Sequence, residues 1–582
     1  MTKDEVAAAL EEIGTLLELK GENAFKCNAY RNAARTVQQI EGDLKSLIET
    51  GKLGEVRGIG DSLKEKITTL VKTGELPYLT DLRAEIPAGM LDMLRIPGLG
   101  PKKAKALHDE LKIADVAALE LACKDDKVAH LKGFGAKTQA KILEGIAFLG
   151  QVGQRVRIDQ ALPLGLALLE QLSKLPGVIR SELCGSLRRR RESAKDIDIL
   201  LSAADAKPIM DAFVKLPEVM QIVGHGETKS SIVAAMMIGT KKIVLNADLR
   251  VVPDESFPFA LHYFTGSKEH NIRVRQRAIE RGLSLNEYGL TGPKRSVKCK
   301  DEADIFKALD LPWIPPELRE DSGEIEAAEK GHLPHLIEFG DIRGVFHNHS
   351  TYSDGNASLE EMALAAKKLG WEYFGIGDHS QSLKIANGLS PASVRKQWKE
   401  IDALNEKLTG IRIIKGTEVD ILEDGSLDYD DELLKGFDYV VASVHTHFNQ
   451  PVDVMTARIC KALAHPAVTM LGHATGRLIL QRDSYKVDVD AILQAAAKHG
   501  KMIEINAHPV RLDIDWKHCK KAKALGIMLV INPDAHSTDD LALTAFGVQE
   551  ARRGWLEKDN VFNTKTLKQM MKELEKRKEA LS

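Results

Sequence analysis

The stretch Cys184-Gly185-Ser186-Leu187-Arg188-Arg189-Arg190-Arg191-Glu192-Ser193-Ala194-Lys195-Asp196-Ile197-Asp198-Ile199-Leu200-Leu201 reads as a glycine turn, a basic run and an apolar strand that opens with two carboxylates. Strand side chains alternate between faces, so Asp196 and Asp198 share one face while Ile197, Ile199 and Leu201 face a core. Like charges on one sheet face repel. A strand edge blunted by charge is one way of carrying that cost; divalent cations are the other. Two ions about 4 Å apart can clamp the attacking and leaving oxygens of a phosphoryl transfer. The turn upstream favours the metal reading. Gly185, Ser186 and Arg189 supply a backbone amide, a hydroxyl and a guanidinium, the donors that hold a triphosphate. A third carboxylate, Asp248, stands in the alternating segment Asn246-Ala247-Asp248-Leu249-Arg250-Val251-Val252 and can join the pair from a neighbouring strand.

Further on comes Ala260-Leu261-His262-Tyr263-Phe264-Thr265-Gly266-Ser267-Lys268-Glu269-His270-Asn271. Gly-Ser-x-x-Arg, Asp-x-Asp, the lone strand Asp and Tyr-Phe-Thr-Gly-Ser, in this order, resemble the X family of DNA polymerases of bacteria and archaea, nucleotidyltransferases related to DNA polymerase beta. The likeness covers the first half of the chain. It implies two Mg2+ ions on Asp196, Asp198 and Asp248, and dNTP contacts from Gly185, Ser186 and Arg189. Tyr263 and Phe264 would flank the sugar, with Gly266 in the same nucleotide-binding group. Asn271 would face the base edge and Arg275 the template. The implied partner is gapped, nicked or primer–template DNA.

At 582 residues and roughly 150 residues per domain, about four domains are expected. The chain has no apolar run long enough to suggest a transmembrane helix, and its acidic, helix-patterned start does not resemble a signal peptide. The six cysteines are scattered without C-x-x-C spacing, which fits a reducing compartment. A cytoplasmic, nucleoid-associated monomer is the expectation. The net charge of −3 does not announce a nucleic-acid binder, so phosphate contact must be local and partly through backbone amides.

Such a contact is written three times. Val56-Arg57-Gly58-Ile59-Gly60, Ile96-Pro97-Gly98-Leu99-Gly100 and Leu131-Lys132-Gly133-Phe134-Gly135 each precede a helical, lysine-bearing segment. Glycine lets another backbone come close, and the following helix N-terminus presents free N–H groups to a phosphate. One copy alone would read as a turn between packed helices. Three copies make DNA-backbone binding through Gly58, Gly60, Gly98, Gly100, Gly133 and Gly135 the better reading, and they resemble helix-hairpin-helix motifs. Before them, Val6, Leu10, Ile13, Leu16 and Leu17 mark one helical face. Residues 1–80 resemble the lyase domain of the X family. Lys66 matches its Schiff-base lysine, and Lys26 and Tyr30 match positions near the 5′ phosphate. Phe25 and Ser62 depart from the pattern, standing where DNA polymerase beta has a histidine and a lysine.

The expected order is therefore a lyase-like helical domain (1–80), a helix-hairpin-helix fingers-type domain (81–150), an α/β nucleotidyltransferase palm (151–257), a thumb-type nucleotide-selection domain (258–320) and a linker (321–336). The linker is acidic and offers little apolar face. Residues 337–582 follow as a separate catalytic domain.

In that last domain, apolar strands alternate with helical segments, the pattern of a parallel α/β barrel. Polar ligand types recur at the strand ends: Phe346-His347-Asn348-His349, Asp354, Gly377-Asp378-His379, Gly416-Thr417-Glu418, Val444-His445, Gly472-His473 and Asn532-Pro533-Asp534-Ala535-His536. Barrel active sites are built at that end, and structural histidines would not gather there. His347 and His349 are expected on one strand face, as a pair of metal ligands. The set resembles the PHP (polymerase and histidinol phosphatase) domain, a distorted (β/α)7 barrel with a trinuclear metal centre. The likeness implies His347, His349, Glu418 and Asp534 on a first ion, Glu418 bridging to a second with His445 and His473, and Asp354, His379 and His536 on a third. His447, His508 and Arg511 would lie on the substrate side. Mn2+ or Zn2+ is the implied metal, since imidazole and carboxylate discriminate poorly.

The expected enzyme is a DNA-directed DNA polymerase that fills short gaps in base excision repair. A metal-dependent 3′-5′ exonuclease or 3′-phosphodiesterase, with AP endonuclease and dRP lyase activity, is expected on the same chain. Alternatives are a nucleotide phosphatase or a structural end-binding module in place of the exonuclease.

Overall fold

The computed structural model describes all residues except 1–2, 41–43, 57, 95, 97–98, 152–154, 294 and 580–582. Gly98 thus lies outside the described residues. The chain divides into two compact units, Met1–Gln154 and Arg155–Ser582.

The first unit is helical. Val6, Leu10, Ile13, Leu16 and Leu17 of the Lys3–Lys20 helix are all buried, and Ala33, Ala34 and Val37 of the Ala24–Gln39 helix join them in one core. The three glycine motifs share the features of their described residues. A backbone hydrogen bond closes each turn: Ile59 to the Val56 carbonyl, Leu99 to Ile96 and Phe134 to Leu131, at 3.0–3.1 Å. Each turn feeds a helix, Asp61–Thr73, Pro101–Leu111 or Gly135–Gln151. The apolar residue between the glycines (Ile59, Leu99, Phe134) is the buried anchor.

The second unit begins with a five-stranded sheet in the order Val178–Leu183, Asp196–Ala203, Lys241–Val252, Lys229–Ile238, Val219–His225. The two central strands run parallel, with Asp198 opposite Asp248. Ile197, Ile199 and Leu201 enter the core beneath, together with Leu164 and Leu168 of the Ile158–Ser173 helix. On the opposite face Leu200 packs with Phe257, Ala260 and Leu261 of the Phe257–Thr265 helix. That face continues toward the strand's start as Asp198 and Asp196, so the two carboxylates sit where the covering helix leaves the sheet open.

The expected linker is packed rather than free. Within it the helix Glu324–Glu329 buries Ile325 and Ala328 against the 258–320 region. Its scarcity of apolar residues is offset by Glu324, which is fully buried and bonded to His270 Nδ1 at 2.7 Å.

Past it lie parallel strands in two runs. Gly344–Val345, Tyr373–Gly375 and Arg412–Ile414 form one; Gly416–Asp420, Tyr439–Ser443, Met470–Leu471, Met502–Asn506 and Leu529–Asn532 form the other. Only Lys415 separates the third strand from the fourth. A bridge joins His379 to Glu418, and another joins Asn348 to Ala535, returning the last strand to the first. This is the hydrogen-bond connectivity of a closed ring of seven parallel strands, one of them broken at Lys415. Helices connect successive strands; Leu359–Lys368, for example, starts at a capping box between Ser358 and Glu361. His347 and His349 do not share a strand face, as the His-x-His spacing suggested. The strand stops at Val345, and His347 turns with φ +49.

All six cysteines are free. Among the described residues no helix is long and apolar enough to cross a membrane.

Candidate active sites

At the sheet site, Gly185 decides the geometry. Its φ is +58, and a Cβ there would lie 2.1 Å from Asp198 Oδ2. Only glycine lets the turn close over the carboxylate, and the Cys184 N–H donates to the Asp198 carbonyl at 2.8 Å to hold it. Burial, reinforced by the charges of Asp196 and Asp248, pushes the Asp198 carboxyl up to about 7. Burial and Asp248 also raise Asp196. Lys229 Nζ, 3.4 Å from Asp248 Oδ2, is a partial counter-charge. Carboxylates that oppose one another's ionisation in this way are the donor set divalent cations require. Ser186 Oγ is buried and makes no hydrogen bond within the protein.

The other nucleotide-side residues are already engaged. Arg189, expected as a triphosphate donor, is buried; its Nε lies 3.1 Å from Glu320 and its Nη1 donates to the Thr265 carbonyl. Its neighbour Arg188 grips Glu302 with two hydrogen bonds. Tyr263 and Phe264 meet edge to face at 5.1 Å, and Arg250 lies over the Phe264 ring. Gly266 caps their helix at φ +68, where a Cβ would come within 3.0 Å of Arg189 Nη1. Asn271 Nδ2 donates to the Tyr263 carbonyl at 2.7 Å, while its Oδ1 is buried without a partner. Arg275 is half-buried on the Lys268–Glu280 helix.

In the N-terminal unit, Lys66 Nζ donates to Ser62 Oγ at 2.8 Å and sits 5.1 Å above the Tyr78 ring. Tyr78 stacks on Tyr30. Lys26 pairs with Glu22 at 3.0 Å, and Phe25 is 85% exposed.

The second site is built around Glu418. This carboxylate is buried, and five imidazoles approach it: His379 Nδ1 at 2.9 Å, His473 Nε2 at 2.9 Å, His347 Nε2 at 3.2 Å, His445 Nε2 at 3.3 Å and His349 Nε2 at 3.8 Å. Burial alone would raise its pKa, but the imidazoles of His347, His445 and His379 hold it well below the ordinary range. Asp534 Oδ1 lies 3.1 Å from His349 Nε2, and Asp354 lies 3.6 Å from His379 and 3.4 Å from His536. The donor atoms gather in four overlapping groups: His349, Asp354, His379 and His536; His347, His349 and Asp534; His347, Glu418 and His473; His379, Glu418 and His445. The nine expected ligands are thus brought together, with His445 and His473 both at Glu418 Oε1 and their rings 5.2 Å apart.

A metal fits this site. His347 Nε2, His349 Nδ1, His379 Nδ1 and Glu418 Oε2 are buried and make no aligned hydrogen bond, although His379 Nδ1 and Glu418 Oε2 lie 2.9 Å apart, and buried polar atoms are rarely left so unless something else binds them. The backbone is bent to place the donors: His347, His473 and Asp534 all have φ between +22° and +53°, a region costly for such residues and typical of functional sites.

Two carboxylates here were missed in the sequence. Glu504, fully buried, bonds His347 Nδ1 at 2.6 Å and also accepts from the His473 N–H, Asn506 and Asn532. Asp420 bonds His445 Nδ1 and accepts from Ser382 Oγ. Each turns the opposite ring nitrogen, Nε2, into the cluster, as outer carboxylates do around metal-bound histidines. The available signal was their spacing, two residues beyond Glu418 and two before Asn506 on ring strands. Of the expected substrate-side residues, Arg511 Nε lies 3.6 Å from Asp534 Oδ2, His508 is half-buried, and His447 is half-exposed beside Glu423.

A carboxylate-lined sheet closed by a glycine turn, together with a histidine–carboxylate cluster at the end of a parallel strand ring, defines a nucleotidyltransferase joined to a phosphoesterase. Known proteins agree. Family models match for a helix-hairpin-helix domain (residues 1–76), a SAM-like helix-hairpin-helix tandem (90–147), the DNA polymerase beta thumb (260–320) and the PHP domain (346–508). The chain is 41% identical over 570 residues, 98% of each sequence, to the DNA polymerase/3'-5' exonuclease PolX of Bacillus subtilis (strain 168). Its C-terminal part is similar to smaller proteins. One is a probable phosphatase of Thermoanaerobacter sp. (strain X514), 31% identical over 39% of this chain and 93% of the relative. Another is a probable phosphatase of Acetivibrio thermocellus, 30% identical over 33% and 78%. The chain belongs to the family X DNA polymerases that carry a PHP domain.

Proposed function

We propose that this enzyme extends DNA 3′ ends by dNTP addition at Asp196, Asp198 and Asp248, and trims 3′ ends at the Glu418 cluster, as part of gap repair in the cytoplasm. The observation that carries this reading is the presence, in one chain, of two donor sets of different chemistry: three carboxylates on a sheet and a histidine-rich ring end.

Mg2+ would be held by Asp196, Asp198 and Asp248, and Mn2+ or Zn2+ by the nine-residue cluster. When bound, such ions offset phosphate charge and make an oxygen nucleophile available at neutral pH. The protein's own contribution is placement. Gly185 and Ser186 cradle the triphosphate with an amide and a hydroxyl. Arg189 exchanges its contact with Glu320 for a phosphate when dNTP enters. At the second centre Glu504 and Asp420 fix the imidazole tautomers, and Arg511 faces the scissile phosphate's charge. The glycine turns hold the DNA backbone. The protein works as a monomer.

Lys66 is proposed as the nucleophile of a dRP lyase step, supported by its place above the Tyr78 ring with Tyr30 behind it. Lys66→Ala should then prevent borohydride trapping on 5′-deoxyribose-phosphate DNA; trapping equal to wild type would place the Schiff base elsewhere. The reading as a whole is tested by a panel of gapped, recessed, 3′-phosphate and abasic-site DNAs with Mn2+, with and without dNTPs. Extension of gaps and loss of 3′-terminal nucleotides support it. Release of phosphate from free nucleotides with no DNA degradation would favour a phosphatase.

A further inference from the structure

Asp378 stands where three segments of the Glu418 cluster meet. It follows the ring strand Tyr373–Gly375, directly before His379, and is only 2% exposed. Its carboxylate takes four hydrogen bonds, as many as its lone pairs allow. Oδ1 accepts from the Ser350 N–H at 2.7 Å and from Ser353 Oγ at 2.5 Å; Oδ2 accepts from Ser350 Oγ at 2.7 Å and from Gln397 Nε2 at 2.5 Å. Ser350, Ser353 and Gln397 are themselves buried. The Asp378 carbonyl accepts from Thr417 Oγ1 at 3.1 Å and shares the N–H of Glu418 with the Gly377 carbonyl, 3.2 Å from each.

The two serines flank candidate ligands: Ser350 follows His349, and Ser353 precedes Asp354. The turn between them closes on itself. The Ser353 and Gly355 N–H groups both donate to the Ser350 carbonyl at 3.0 Å, and a Cβ on Gly355 would lie 2.5 Å from the His349 carbonyl. A serine hydroxyl has a single proton to give. Ser353 Oγ is 2.5 Å from Asp378 Oδ1 and 3.3 Å from Asp354 Oδ1. The proton therefore goes to Asp378, and the Asp354 carboxylate is left to face His379 and His536. Gln397 brings in the helix Pro391–Lys407, where it shares a buried face with Val394, Ile401 and Leu404.

A buried carboxylate served only by neutral donors is costly, and an apolar side chain could fill such a place without that cost. Packing alone does not call for it; position does. Unlike Glu504 and Asp420, Asp378 bonds the backbone segments that carry ligands rather than the imidazole rings. Donor atoms of His349, Asp354, His379 and His536 lie within 4.8 Å of one another, and the first three of these residues are on segments that Asp378 joins. We propose that Asp378 is a positioning residue, which sets the His349–Asp354 turn at the distance from His379 that an ion shared by Asp354, His379 and His536 requires. This rests on the metal reading of the cluster given above.

The test uses full-length Asp378→Asn and Ser353→Ala proteins, titrated by isothermal calorimetry with Mn2+ alone and with Zn2+ alone. Asparagine keeps the shape but offers one acceptor oxygen where two are used; the alanine removes a single tie on the ligand turn. In Asp378→Asn one ion should bind at least about tenfold more weakly than in wild type, the range for a group that orients a metal ligand, while the other sites keep their affinity. Removal of 3′-terminal nucleotides should fall at limiting metal and return when metal is raised by the same factor, which a folding defect would not do. Ser353→Ala should weaken the same site by less, and it decides the matter if Asp378→Asn does not fold. Wild-type affinities in the deciding variant, or equal weakening at every site, would overturn the positioning role. Wild-type protein that takes up neither Mn2+ nor Zn2+ would overturn the metal reading and the role with it.

Discussion

Asp198 lies directly against the backbone of Gly185 and opposite Asp248, so its charge is the one the sheet site can least hold without cations. Asp198→Asn should abolish primer extension, by at least about a thousandfold given what positioned metal chemistry contributes, and leave 3′-end trimming intact; extension retained within tenfold would remove Asp198 from the site. At this scale the sequence was legible where a residue's type and its position on a strand carried the message. The grouping of Asp196 and Asp198 with Asp248, and of the nine histidines and carboxylates at the strand ends, was legible in this way. Asp420 and Glu504 were not legible, because a carboxylate alternating with apolar residues reads equally well as a solvent-facing strand position. Their function follows only from which imidazole each one touches. Arg189 shows the same limit: its partner Glu320 is 131 residues away, beyond any local pattern.

The glycine-turn helices carry the next level of argument. Gly60 and Gly100 have ordinary φ values of −80° and −79°, and a Cβ at either would meet nothing within 4 Å. Neither backbone strain nor packing therefore demands glycine, which accords with the proposed approach of a DNA backbone. Both occupy helix N-cap positions, where serine is at least as favourable as glycine. Gly60→Ser and Gly100→Ser should hold or raise Tm while weakening DNA binding and lowering its salt slope by about one unit for each phosphate no longer neutralised; unchanged affinity across a salt titration would make these glycines simple turns. The helix Thr544–Arg553 supplies a pH effect. Burial pushes the Glu550 carboxyl from 4.5 up to about 7, against the pull of Arg553. A carboxyl raised on folding contributes stability that is full below about 4.5 and is lost as pH rises toward 7. Glu550→Gln should flatten the fall of Tm over that window, and an unchanged profile would show that Glu550 does not titrate there. Elements were legible from period and turn residues, as in the Lys3–Lys20 helix. The strand expected through His347 and His349 was not, since the positive φ of His347 has no signature in a histidine.

Over the whole molecule, a DNA polymerase and a phosphoesterase occupy one chain, and within Arg155–Ser582 the two candidate sites are built on separate sheets. The order of the helix-hairpin-helix regions, the thumb and the PHP domain was legible because each carries its own motif. The packed helix Glu324–Glu329 was not, because a buried Glu–His pair looks in sequence like solvated charge. The central claim is that Glu418 organises a metal centre independent of the carboxylate triad. It is tested most directly by one preparation of Glu418→Gln, assayed for metal content by elemental analysis and for primer degradation against primer extension. Loss of at least one ion, with degradation down at least about a hundredfold and extension unchanged, is the predicted result. Full metal occupancy with undiminished degradation, or loss of both activities together, would contradict it.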